Sequence, residues 1–114
     1  MDDAARAALA GAKARLDRLE LYRRPVSLRG VRIVVAPRLF RLPWFRRFDG
    51  YAAWRTIVLR RPVEAAGDDL VTHELCHVWQ MQHRPVSMPL SYLGGYDGNR
   101  FEAEARRAVE LTRS

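Results

Sequence analysis

The sequence predicts a single α+β domain, ordered as a helix, a pair of strands, a central helix, a loop and a last helix. Three observations predict it. The chain has 114 residues of which 48% are apolar, enough for one modest core and too few for two. Two short runs, VRIVVA at 31–36 and TIVLR at 56–60, are β-branched and stop at Pro37 and Pro62. Three other stretches repeat their apolar residues at helical spacing.

The first helix is expected over residues 3–21, where Ala5, Ala8, Leu9, Ala12, Leu16 and Leu19 form one stripe between charged residues. Pro25 and Gly30 end that region. Residues 38–51, RLFRLPWFRRFDGY, read as a loop dense in aromatics and arginines. More often than not such a loop lays its aromatics on the core and leaves its arginines in water, although it could also touch a membrane surface or single-stranded nucleic acid. Residues 64–68 read as a turn, and Asp68 or Asp69 can cap a central helix that runs to about Gln82. Apolar residues lie on nearly every side of this helix, so it is expected to be buried. Pro85 and Pro89 break the chain after it, Gly94, Gly95, Asp97 and Gly98 form a loop, and Asn99 caps a last helix over 100–113.

Composition narrows the function. The single cysteine, Cys76, excludes a disulfide framework. Residues 1–20 lack the apolar core of a signal peptide and no apolar run approaches membrane-spanning length, so a cytoplasmic protein without a transmembrane segment is expected. The net charge of +7 comes almost wholly from arginine, Lys13 being the only lysine. That excess can attract a polyanion, but no nucleic-acid motif accompanies it, and a nucleic-acid partner is not favoured.

The chemistry is concentrated in the central helix. His73-Glu74-Leu75-Cys76-His77 is an HExxH motif. Residues four apart on a helix stand nearly one above the other, so both imidazoles can reach one metal ion. Glu74, turned by about 100° from His73, stands beside the open coordination position, where it can take a proton from a bound water and pass it to a leaving amine. Without a metal the helix would bury three polar groups with no evident reason. Cys76 points elsewhere and reads as a small buried residue.

TIVLRRP, then DDLVTHELCHVWQ, then NRFEAEARRA, resemble the zincin metallopeptidases, nearest to the gluzincin branch and its minimal, minigluzincin-type domains. The resemblance spans about half the chain. It implies a minimal zincin-like fold, one zinc ion per chain, and a third ligand that is a glutamate on a later helix in an ExxA context, which Glu102 and Ala105 supply. It also implies that the strand before the active-site helix, here residues 56–60, is an edge on which an extended peptide substrate lies.

The residues alone leave the third ligand open. Glu102 and Glu104 flank the apolar stripe of the last helix almost symmetrically, and His83 follows His77 at the spacing of another zincin branch, without the glycine that would let the chain turn. Glu102 can equally close a capping box with Asn99. The resemblance favours Glu102. Tyr96, in the glycine-flanked loop, is a candidate catalytic donor to a developing oxyanion, or a loop aromatic packed on the core.

Two functions are compatible with these residues. One is a zinc-dependent endopeptidase, with His73, His77 and Glu102 on the metal and Glu74 as general base and acid, acting on an extended peptide or flexible protein segment. The other is a non-catalytic, zinc-stabilised basic module for nucleic acid or another polyanion, which would need a closed site of four protein ligands.

Overall fold

The structure, a computed structural model, describes residues Met1–Arg113. It is the α+β arrangement that the sequence predicts, with one more strand. Helix α1 (Asp3–Asp17) leads to strand β1 (Arg32–Val35), then β2 (Gly50–Ala53) and β3 (Thr56–Leu59). A short α2 (Val63–Ala66), the central α3 (Asp68–His83), a short α4 (Ser87–Ser91) and α5 (Arg100–Thr112) complete the chain. The sheet order is β1-β3-β2, with β1 parallel and β2 antiparallel to β3.

The central helix is placed by apolar burial on two sides. Leu9, Ala12 and Leu16 of α1 meet Val71, Leu75 and Val78 of α3, while Ala105 and Ala108 of α5 close the other flank. Ile57 and Leu59 of β3 are fully buried in the same core. Trp79 is fully buried too, and its indole N–H donates to the Arg24 carbonyl at 2.9 Å. Among the described residues no helix is long and apolar enough to cross a membrane.

The departures from the sequence reading have local causes. Helix α1 ends at Asp17, four residues early, because the Asp17 carboxylate is used by the Val26 N–H and the Lys13 ammonium. Residues 50–53, read as the end of a loop, form β2. Its turn is Trp54-Arg55, with Trp54 at φ 53. The expected turn at 64–68 contains α2, and Gly67 (φ 92) occupies the junction before α3. Neither Asp68 nor Asp69 caps α3. Both lie in its first turn, where the helix dipole favours a carboxylate. The 38–51 loop behaves largely in the ordinary way: Phe40 is buried, Phe45 and Phe48 are half-buried, and Trp44 and Tyr51 are exposed along with the arginines.

One expectation is overturned. Strand β3 pairs on both sides, so it has no free edge for a peptide. The edge strand next to α3 is β2.

Candidate metal centre

His73 and Glu74 are neighbours on one turn of α3 and His77 stands one turn further on, and one ligand atom from each lies within 4.8 Å of the other two. This group could hold a metal ion. The two imidazoles face each other through Nε2, 3.2 Å apart, with their rings nearly perpendicular. The helix carries the pair because Leu75, Cys76, Val78 and Trp79 anchor its remaining faces in the core.

Glu102 completes the cluster from α5. Its Oε1 is 2.7 Å from His73 Nε2 and its Oε2 is 2.9 Å from His77 Nε2. The Asn99 side chain caps α5 by accepting from the Phe101 and Glu102 N–H groups, which fixes where Glu102 leaves the helix. Glu102 is itself buried, so the surface glutamate of a capping box is not what the fold makes of it. Two tyrosines turn onto the same carboxylate. Tyr96 donates to Oε1 at 2.7 Å and Tyr92 donates to Oε2 at 3.2 Å.

The other two candidates for the third ligand lie elsewhere. Glu104 accepts from the Tyr22 hydroxyl at 2.5 Å and from the Gln80 amide at 3.0 Å. His83 remains on the continuous α3 helix, its Nδ1 3.1 Å from the Trp79 carbonyl oxygen, and stacks on Tyr22 with ring centroids 4.8 Å apart. Cys76 is fully buried, and burial pushes its thiol well above the ordinary range.

The charges are strongly coupled. Burial alone would raise the Glu102 carboxyl, but hydrogen bonds from His73 and His77 outweigh it and hold the group well below the usual carboxylate range. Burial disfavours charge on His77, yet its contact with Glu102 and the nearby Glu74 carboxylate raise its pKa. Glu74 has the opposite balance: burial dominates and pushes it up against the pull of both histidines. Burial and the Glu102 carboxylate push both Tyr92 and Tyr96 up, which keeps them proton donors.

A cleft of about 260 Å³ opens on this cluster. Strand β2, Trp54, Met81, Met88, Pro89 and Tyr92 line it together with Glu74 and His77. A second, more charged cleft reaches the same His73, Glu74 and Glu102 from the side of Arg47 and Arg106.

The site therefore brings together His73, Glu74, His77, Tyr96 and Glu102. Sequence reasoning missed three residues. Tyr92 carried no signal beyond its place in an irregular segment. Gln80 carried one, since it comes three residues after His77 and so shares its helix face. Gly50 stands where β2 meets Glu74, and only the pairing of β2 with β3 shows it. No family model, curated protein or solved structure matches the chain.

Proposed function

We propose that this chain is a zinc-dependent metallopeptidase of the zincin type, with the ligand set of the gluzincin branch. The convergence of His73, His77 and Glu102 carries the reading. Two imidazole nitrogens and a carboxylate are donors that zinc takes at about 2.0–2.2 Å, so tetrahedral ligand atoms stand roughly 3.3 Å apart. The two Nε2 atoms stand 3.2 Å apart, close to that spacing, and each already has a Glu102 oxygen beside it, Oε1 at 2.7 Å from His73 and Oε2 at 2.9 Å from His77.

In this reading His73, His77 and Glu102 hold the ion. Zinc, when bound, supplies a Lewis acid that polarises a peptide carbonyl and makes water easier to deprotonate. Glu74 takes the proton from the attacking water and delivers it to the leaving amine. Tyr96 is the donor assigned to the developing oxyanion, supported by its hydroxyl already lying within the cluster.

The substrate is an extended peptide or flexible protein segment. Strand β2 has one unpaired edge and lines the cleft, so main-chain pairing there supplies affinity without sequence preference. The cleft next to His77, lined by the adaptable Met81 and Met88 and by Trp54, suits one bulky apolar side chain beside the scissile bond. Position and burial also speak against a closed structural site, since His83, the remaining histidine, is turned to Tyr22.

Glu74→Gln tests the reading. The variant is expected to bind zinc as the unaltered protein does and to lose hydrolysis of an unfolded protein such as casein. Equal hydrolysis by the two proteins would contradict the mechanism.

A further inference from the structure

Gln80 is fully buried one turn after His77, and it makes three hydrogen bonds. Its Nε2 donates to the Phe101 carbonyl oxygen at 2.8 Å and to Glu104 Oε1 at 3.0 Å. Its Oε1 lies 2.8 Å from His77 Nδ1. A primary amide has two N–H donors on one side and only an acceptor on the other. Both partners of Nε2, a carbonyl and a carboxylate, are acceptors. Flipping the amide would set its oxygen against both of them, oxygen against oxygen, and exchange two buried hydrogen bonds for at most one, to His77 Nδ1. The partners thus fix the orientation, and an amide oxygen at His77 Nδ1 requires that this nitrogen carry the proton.

The geometry points to Gln80 as a positioning residue: it holds His77 with its proton on Nδ1 and so presents Nε2 to the metal, and Glu104 with Tyr22 sets the amide that does this. The metal half of the inference rests on the zinc reading above; the proton's position does not.

The series has four side chains, Tyr22, Glu104, Gln80 and His77, drawn from the segment after α1, from α5 and from α3. Burial and the Glu104 carboxylate push the Tyr22 hydroxyl above its ordinary value, which keeps it a donor to Glu104. Tyr22 is fixed in turn by its edge contact with Trp79, centroids 5.2 Å apart, and by its stack on His83. The two glutamates of α5 thereby take different parts. Glu102 meets both histidines directly. Glu104, two residues on, acts on His77 through Gln80. Groups that orient a ligating histidine through its other nitrogen typically change metal affinity about 10- to 100-fold when removed.

Histidine ¹⁵N NMR and zinc titration against a competing chelator, on the full chain, test it together. In the unaltered protein the His77 Nδ1 is expected to carry a slowly exchanging proton both before and after zinc is added. Gln80→Met is expected to remove that protection and weaken zinc binding about 10- to 100-fold. Should Gln80→Met fail to fold, Glu104→Gln keeps the shape of the network while offering the amide a second orientation. Zinc binding is then expected to weaken several-fold and the Nδ1 proton to exchange faster. An unprotonated Nδ1 in the unaltered protein, or zinc bound through Nδ1, overturns the inference. So does unchanged zinc affinity in both variants. Failure of the unaltered protein to bind zinc would remove the metal reading alone, and the NMR result would still decide where the His77 proton lies.

Discussion

Gly50 of β2 lies so close to Glu74 of α3 that a Cβ on it would stand 3.0 Å from Glu74 Oε2 and 3.2 Å from Glu74 Cγ. Its backbone is ordinary extended strand, so the glycine is required by space, not by φ. Any larger residue displaces the carboxylate on which the proposed proton transfers depend. Gly50→Ala is therefore expected to lower the turnover number several-fold, since the carboxylate must give way by a fraction of the roughly 1 Å misplacement that costs about 100-fold. Zinc content should stay unchanged. Peptide hydrolysis assayed beside elemental analysis checks both.

Glu102 and His83 make opposite predictions for the third ligand. Glu102→Ala removes the carboxylate that meets both imidazoles and is expected to weaken zinc binding by at least about 100-fold. His83→Ala removes a ring stacked on Tyr22 and should leave zinc affinity within about threefold of the unaltered protein. Chelator competition on the two variants separates them.

Much of this site was legible in the sequence, for a physical reason. His73, Glu74 and His77 lie on one helix, where spacing alone fixes direction, and Asn99 announces its cap by type and position. The part that was not legible depends on partners far along the chain. Glu102 and Glu104 flank the stripe of α5 alike, and it is Tyr22 and Gln80, 82 and 24 residues from Glu104, that draw one of them away. Strand β2 is Gly-Tyr-Ala-Ala, a composition with weak strand preference, and it forms because β3 offers it a partner. The expected substrate edge moved from β3 to β2 for the same reason.

Asp69 gives the fold a pH dependence whose sign is fixed. Hydrogen bonds from Arg15 and Arg113 lower its pKa below the ordinary 3.8. A carboxyl lowered on folding contributes stability that is present above the unfolded value and is lost as pH falls through the folded one. Asp69→Asn should thus lower Tm slightly near pH 7, the side chain being about half exposed, and the difference should close on acidification below the unfolded value of 3.8. Thermal melts of both proteins from about pH 7 to about pH 2.5 check this.

Leu16 seats α1 against α3. It is fully buried in the core cluster that also holds Val71, Leu75 and Val78 of α3. Leu16→Ala is expected to cost about 2–5 kcal/mol, the range for a leucine truncated in a closed core. Urea unfolding followed by circular dichroism measures it. The loss should appear in the midpoint, with the slope unchanged.

His73, His77 and Glu102 are proposed to hold one zinc ion, and every catalytic role above depends on that ion. The most direct test is bound metal per chain, by elemental analysis of untagged protein purified without added zinc. About one zinc per chain is expected, lost when His77 is replaced by alanine. No zinc in the purified protein, and none taken up when it is supplied, would contradict the proposed centre.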